Sequence, residues 1–201
     1  VSLPSTPMPP LNITASTKKH GHCCASIRVG GVEHSPKGDH GINVVLVNQH
    51  SGRVISAQFF YTWSGHVGVN ALKALVEGLA PGTIVAMATQ GKTDYHSLYS
   101  AVLEQKLGAD VGLSTGVGYY GAWAFIGAVK GEGEATASWT AQALAHSSSR
   151  SGNPSTLLAV TAMSPRGTAE LTELRVFGCL ATAGGHLAGG LASAGATFGD
   201  A

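Results

Sequence analysis

The clearest pattern of apolar and polar positions lies between residues 40 and 89. Two segments, 42–46 and 54–61, are rich in β-branched and aromatic residues, and the polar residues 48–52 separate them. Such residues suit the pleated surface of a sheet, and a short polar break between two such segments is typical of a hairpin. We therefore predict that the two segments pair as antiparallel strands.

The hairpin is followed by a pattern with helical spacing. Apolar residues recur three and four positions apart between Ala71 and Leu79, and Pro81 and Gly82 then end the pattern. Residues 83–88 form a short, nearly unbroken apolar run, as expected of a strand that is covered on both faces. The predicted order is hairpin, helix and buried strand.

Further elements are predicted on both sides of this unit. A second helix is expected with Asp94 as its N-cap and Gly108 at its C-terminal end, and a third, weaker helix at residues 135–145. Further strands are expected at residues 25–29, 111–117, 122–129, 156–162 and 171–176. This mixture predicts an α/β chain of the α+β type, a mostly antiparallel sheet or sandwich with two to three helices.

The two ends of the chain differ in composition from its middle. Residues 1–19 hold four prolines and show no hydrophobic period, which predicts an extended arm. Residues 181–201 form a Gly/Ala-rich tail, with Asp200 as its one charged residue. The predicted organisation is an arm at 1–19, a domain at 20–180 and a tail at 181–201. If such ends are ordered, a neighbouring subunit is expected to cover them.

Composition narrows the choice of partners. The 201 residues include 12 Lys and Arg and 11 Asp and Glu, for a net charge of +1, so the basic surface of a nucleic-acid-binding protein is not expected. No apolar run approaches the roughly 18–20 residues of a membrane span, so no membrane partner is expected. The start at Val1 predicts a secreted protein whose signal peptide has been removed, and Asn12 lies in a glycosylation sequon.

The chain has an odd number of cysteines, namely Cys23, Cys24 and Cys179. In a secreted protein this predicts one disulfide and a third thiol that is free or bonded to another chain. Adjacent cysteines seldom bond to each other, so the predicted bridge joins Cys179 to Cys24 or to Cys23.

Two segments resemble catalytic motifs. Residues 86–93 match a relaxed form of the phosphate-binding-loop sequence pattern, which ends in Lys92 and Thr93. However, an alanine replaces the first glycine of the pattern, and residues 87–88 are predicted to continue the preceding strand. We interpret this segment as an exposed connection between a strand and a helix. Ser114 lies in a G-x-S-x-G sequence, but a helix end precedes it where the motif requires a buried strand. Glu170 and His186 would have to complete its triad. We predict no enzymatic activity.

Two other groups could bind a ligand. His20, His22, Cys23 and Cys24 form the densest cluster of possible metal ligands, but a disulfide would use one thiol, and exposed histidines are the simpler interpretation. We predict no cofactor and no metal. Tyr119 and Tyr120, at a glycine-rich turn, are the candidate surface for a sugar or a protein partner.

An ordered set of short phrases resembles the ILEI/PANDER-like (GG) domain family. The phrases are GINVVLVN, SGRVISAQFF with WSG after it, GTIVAMAT and GAWAFIGAVKG. They cover roughly residues 25–131, and the Phe-Gly-Cys sequence at Cys179 resembles the family's late cysteine. The resemblance implies a secreted, non-catalytic module that is extracellular and acts in signalling or in association with glycans. The long tail departs from the family pattern.

Two functional hypotheses follow. The first is an extracellular structural protein that self-associates through its terminal arms into a homo-oligomer or homopolymer, such as a filament or sheath. It depends on the two low-complexity ends, the odd cysteine and the low charge. The alternative is a soluble carbohydrate-binding or cytokine-like signalling module, with a glycan as a further possible partner.

Overall fold

The computed structural model of the chain describes residues 11–17, 25–36, 38–93, 96–109, 122–129, 140–145 and 158–162. Two helices and nine strands lie within these ranges. The helices are α1 (Val67–Glu77) and α2 (His96–Leu107). The strands are β1 (Ile13–Thr17), β2 (Ser26–Val29), β3 (Val32–Glu33), β4 (Gly41–Asn48), β5 (Val54–Tyr61), β6 (Thr83–Gln90), β7 (Ala122–Ala128), β8 (Thr140–Ala145) and β9 (Leu158–Ala162).

Five of the strands form one antiparallel sheet in the order β5-β4-β6-β7-β8. The predicted hairpin is confirmed, because β4 pairs with β5 from Gly41 opposite Tyr61 onwards. Its turn is closed by the side chain of Asn48, which accepts hydrogen bonds from the backbone N–H groups of His50 and Ser51. The buried strand predicted after the helix is also confirmed, since every residue of β6 is buried.

Both helices pack on one face of this sheet. Their apolar side chains share a buried cluster with alternate residues of β4, β6 and β7, in which Trp123 and Phe125 stack with ring centroids 5.7 Å apart. The predicted end of the second helix is confirmed: Gly108 has a φ of +64° and its N–H donates to the carbonyl of Glu104. The cluster comprises Ile42, Val44, Leu46, Phe60, Val69, Leu72, Val76, Val85, Met87, Leu103, Leu107, Ala109, Trp123, Phe125 and Val129.

The other four strands form a second antiparallel sheet in the order β3-β2-β1-β9. Alternate residues of β1 and β2 share a second buried cluster with the remaining face of the five-stranded sheet. A hydrogen bond of 2.5 Å from the hydroxyl of Thr17 to the carbonyl of Thr89 also joins the two sheets. The architecture is therefore of the predicted α+β type, mostly antiparallel sheet with two helices among the described residues.

The structure corrects the prediction of a third helix at residues 135–145. Residues 140–145 form strand β8 instead, which pairs with β7 from Gly127 opposite Thr140 to Ala122 opposite Ala145. Alanine favours a helix, but this preference is worth less than 1 kcal/mol per residue, and pairing with an existing buried strand outweighs it.

The structure also differs from the expectation of an arm over residues 1–19. Ile13–Thr17 form β1, which lies between β2 and β9. Ile13 and Ala15 are fully buried, and Thr17 is buried beside them. Because this alternation of buried residues spans only five positions, the sequence pattern alone does not distinguish the strand from the proline-rich segment before it.

The hairpin of β2 and β3 carries a carboxylate with an altered pKa. Burial raises the pKa of Glu33, but hydrogen bonds from Ser26, Ser35 and Arg28 to its carboxylate outweigh this effect and lower the pKa to about 2. The carboxylate also accepts the backbone N–H groups of Ile27 and Ser35. Glu33 therefore connects β3 and the residues after it to β2.

We predict that this hairpin weakens in acid. Folding lowers the pKa of Glu33 from 4.5 to about 2, so its carboxylate stabilises the folded state at pH values above about 4.5. This stabilisation is lost as the pH falls from about 4.5 to 2. An NMR titration should place the midpoint of the Glu33 carboxyl near pH 2. The protection factor of the Ile27 amide, which compares its exchange rate with that of an unfolded chain at the same pH, should fall over the same range. In Glu33→Gln this pH-dependent fall should disappear. A midpoint near 4.5 would contradict the prediction.

We also predict that Gly68, at the start of α1, cannot be replaced by alanine without loss of stability. A Cβ at this position would collide with the backbone carbonyl of Tyr61 at the end of β5. Such overpacking costs about 2 kcal/mol, which urea unfolding would measure for Gly68→Ala. The control is Gly78→Ala, whose Cβ would lie 3.3 Å from the nearest atom at a negative φ, with an expected change below about 1 kcal/mol. Equal losses in both variants would contradict this account.

Candidate functional site

Three connections meet at one end of the five-stranded sheet. Because β4 is antiparallel to both β5 and β6, its first residue, Gly41, lies opposite Tyr61 at the end of β5 and opposite Gln90 at the end of β6. The residues before β4 and those after β5 and β6 are therefore neighbours. We call residues 38–40, 61–66 and 91–93 the β4 rim.

Each connection of the β4 rim contributes one side chain to a central cluster. His40 and Trp63 pack edge to face, with ring centroids 6.0 Å apart and planes at 65°. The ammonium nitrogen of Lys92 lies 4.7 Å from the centroid of the Trp63 ring, within the range of a cation–π interaction. All three side chains are half-buried. The cluster thus presents an indole beside a cation and an imidazole at the surface.

The backbone fixes His40 and Lys92 relative to each other. The N–H of Lys92 donates to Nδ1 of His40 over 3.1 Å, so the neutral imidazole carries its proton on Nε2. Gly91 makes this approach possible: it has a φ of +61°, and a Cβ there would collide with Nδ1 of His40 and with the carbonyl of Asp39. Only glycine adopts this conformation without strain and leaves that space open.

A buried polar pair supports the β4 rim from below. The side-chain amide of Asn43 donates to Oε1 of Gln90 over 2.9 Å, and the amide of Gln90 donates to the carbonyl of Gly38. Asn43 is fully buried, and its own Oδ1 accepts no hydrogen bond, as is also true of the buried hydroxyl of Thr62. The pair therefore ties the start of β4 and the end of β6 to the connection before His40.

Aromatic, hydroxyl and apolar groups extend the surface beside Trp63. The Tyr61 side chain is 43% exposed, and its hydroxyl lies 3.3 Å from Oγ of Ser64. Val67, at the first position of α1, is 85% exposed. Tyrosine and tryptophan at a surface are the residues most often found at the centre of protein interfaces. The arrangement can therefore bind a partner by burial of aromatic surface, with donors at its edge.

The structure resolves the segment that resembles a phosphate-binding loop. Its first five residues, 86–90, belong to β6, which pairs with β4 over its whole length and with β7 as far as Ala88. Backbone N–H groups held in a sheet cannot curl around an anion as such a loop requires. The interpretation of residues 87–88 as strand is confirmed. The interpretation of the whole segment as an exposed connection is wrong for residues 86–90, which are buried in β6, because the connection begins only at Gly91. Lys92 belongs to the β4 rim.

Most other candidates from the sequence lie outside the described residues. Asn12 is described: its side chain is exposed next to the first residue of β1, and its carbonyl accepts the N–H of Gly30. Its glycosylation stays a prediction. Within the described ranges, no group of three or more His, Cys, Asp or Glu is arranged to hold a metal, and no helix is long and apolar enough to cross a membrane. The candidates outside the ranges are Tyr119, Tyr120, Cys23, Cys24, Cys179, His20, His22, Ser114, Glu170 and His186.

The sequence did not reveal that His40, Trp63 and Lys92 form one cluster. The three residues are more than twenty positions apart, and only the register of β4 with both neighbours brings them together. A usable signal was present: His40 and Trp63 each lie two residues from the end of a predicted strand, and Lys92 lies four residues after the end of another. Two antiparallel neighbours place such positions at the same end of a sheet.

We predict that Asn43 and Gln90 are energetically coupled. Asn43→Ala would leave Oε1 of Gln90 buried without its donor, and Gln90→Ala would do the converse to Asn43. In a double-mutant cycle measured by urea unfolding, we compare losses in the free energy of unfolding. The loss in the double variant should be about 1 kcal/mol smaller than the sum of the losses in the two single variants. Strictly additive losses would show that the pair does not stabilise the rim.

Comparison with known protein families adds one finding. Residues 40–132 match the family model described as Interleukin-like EMT inducer. The match spans just under half of the 201 residues and contains β4 to β7, both helices and the whole central cluster of the β4 rim. The resemblance to the ILEI/PANDER-like family is thereby confirmed over this segment.

Proposed function

We propose that this ILEI/PANDER-like chain is a secreted, cytokine-like module without catalytic activity, which binds a cell-surface receptor protein through the β4 rim. The family description, Interleukin-like EMT inducer, supports an extracellular signalling role. The observation that carries the proposal is the convergence of His40, Trp63 and Lys92 from three connections into one half-buried cluster.

The chemistry of the rim favours a protein partner. Tyr61 and Trp63 of the rim, with the adjacent Val67 of α1, provide aromatic and apolar surface that a flat partner surface could bury, and Lys92 adds a positive charge at its edge. Truncation of a central aromatic residue typically costs an interface 2 kcal/mol or more. Residues 86–90 form part of strand β6, so they do not form the phosphate-binding loop in which Lys92 would act. This supports the proposed absence of catalysis.

A carbohydrate partner is the competing form of this proposal. An indole can stack on the apolar face of a sugar, and imidazole and hydroxyl groups can bind sugar hydroxyls. The tyrosine pair 119–120, expected from the sequence to contact a sugar, lies outside the described residues. The packing of both His40 and Lys92 against Trp63 leaves less of the ring for stacking, which favours the protein partner.

Self-association into filaments through the terminal arms stays a prediction from the sequence. Residues 1–10 and 163–201 lie outside the described ranges, and β1 lies in the segment that was expected to belong to the arm. Negative-stain microscopy of the purified protein, with and without reductant, tests it. Regular polymers would support the structural role, and uniform single particles would contradict it.

We predict that Trp63→Ala and Lys92→Ala reduce binding of the fluorescently labelled protein to the surface of responsive cells. Trp63→Ala should weaken binding about thirtyfold and Lys92→Ala several-fold. The matched controls are Val32→Ala, an exposed apolar side chain on β3, and Lys73→Ala, which removes the same charge from α1. Both controls should bind like the unchanged protein.

Enzymatic treatment of the cells separates the two partners. Removal of cell-surface glycans should leave binding intact if the partner is a receptor protein, whereas loss of binding after this treatment would support the carbohydrate partner. Thermal unfolding of each variant establishes that it is folded. Full binding by folded Trp63→Ala and Lys92→Ala would contradict a role for the β4 rim.

A further inference from the structure

The chain has one acceptor sequence for N-linked glycans, Asn12-Ile13-Thr14, because Pro154 blocks the similar sequence at Asn153. The structure places this sequence at the beginning of β1. Successive side chains of a strand point to opposite faces. Ile13 points into the core and is fully buried, whereas the Asn12 side chain is exposed. A group attached to Asn12 therefore points away from the core.

The surroundings of Asn12 leave room for a bulky group. Its carbonyl accepts the N–H of Gly30 over 2.8 Å, so the turn between β2 and β3 is its neighbour. A Cβ built on Gly30 or on Gly31 would meet no atom within 4 Å among the described residues. The next two outward positions of β1, Thr14 and Ser16, carry hydroxyl groups. The described surface beside the attachment point is thus open and polar, which suits the first sugars of a glycan.

Strand β1 runs from one end of the five-stranded sheet to the other. At its start, Leu11 lies beside the turn of the β4–β5 hairpin, because a Cβ on Gly52 would lie 3.1 Å from Cδ1 of Leu11. At its end, the hydroxyl of Thr17 donates to the carbonyl of Thr89, which precedes the last residue of β6 and lies near the β4 rim. The strand spans about 17 Å from Asn12 to Thr17, at about 3.3 Å per residue. Asn12 therefore lies at the end of the sheet opposite to the β4 rim.

The low charge of the chain gives an independent reason to expect a solubilising group. Asp, Glu, Lys and Arg make up 11% of its residues, whereas they make up about 25% of a typical soluble domain. N-linked glycans are bulky and solubilising, and they lie at the surface. A chain with few charges gains more solubility from such a group than a highly charged chain does.

We propose that Asn12 carries an N-linked glycan, which covers the end of the sheets opposite to the β4 rim. The modification rests on the proposed secretion of the chain, because these glycans are added as a chain enters the secretory pathway. The donor is a lipid-linked oligosaccharide diphosphate. Nδ2 of Asn12 forms a bond to C1 of the first sugar, and the bond from C1 to the phosphate oxygen breaks. The lipid diphosphate leaves, and the amide gives one proton to a base of the transferring enzyme.

The position of the glycan has a consequence for recognition. At the start of β1 it shields the turns at residues 30–31 and 48–52 from contact with other proteins. It leaves the β4 rim uncovered, because the rim lies at the other end of the sheet. The glycan thereby directs partner contacts to the rim.

Expression of the full chain behind a cleavable signal peptide in mammalian cells tests the attachment, whether or not the natural chain is secreted. Treatment with peptide N-glycosidase should increase the gel mobility of the protein and leave an aspartate at position 12 of the tryptic peptide 1–18. Thr14→Ala should abolish both effects. Thr14→Ser, the matched control that keeps the hydroxyl of the acceptor sequence, should retain them. A protein without the glycan, or a glycan that survives Thr14→Ala, would overturn the proposal.

NMR spectra of the glycosylated chain and of Asn12→Gln from the same cells test the placement. The amide signals of Gly30, Gly31 and Gly52 should differ between the two proteins, and those of Gly91 in the β4 rim should coincide. Both proteins should also bind responsive cells equally. If neither binds, the proposed receptor function fails and the spectra alone decide the placement. Differences at Gly91, or tighter binding by Asn12→Gln, would show that the glycan covers the rim and would overturn the placement.

Discussion

The pairing of β4 with a neighbour on each side is the constraint on which the rest of the structure depends. Every residue of this strand except Asn48 is buried, and its two faces contribute to two different hydrophobic clusters. A shift of one residue in its register would exchange the side chains that face the helices for those that face the other sheet. The hairpin turn at Asn48 and the Asn43–Gln90 pair both fix that register.

The candidate site is a consequence of the same register. His40, Trp63 and Lys92 meet because the first residue of β4 lies opposite the last residues of β5 and β6. Gly91 then brings two of these connections into backbone contact, which a larger residue would prevent. The site is thus built by connections that a rigid sheet positions, an arrangement in which loops can change their chemistry without changing the fold.

Much of the central unit could be predicted from the sequence. The hairpin, α1 and β6 carry strong local patterns, with a polar break, a helical period and an apolar run. Strand β8 could not be predicted, because its alanines favour a helix and the strand conformation comes from pairing with β7. β1 is too short for its alternation to be recognised. The cluster around Trp63 depends on contacts between distant residues, which local patterns do not encode.

The central claim, that the register of β4 builds one cluster from three distant connections, is tested most directly by an NMR measurement of Lys92. If its ammonium lies over the indole, the terminal methylene protons of Lys92 should be shifted upfield by the ring current and should show nuclear Overhauser effects to the Trp63 ring. Random-coil shifts for these protons and no such effects would contradict the account.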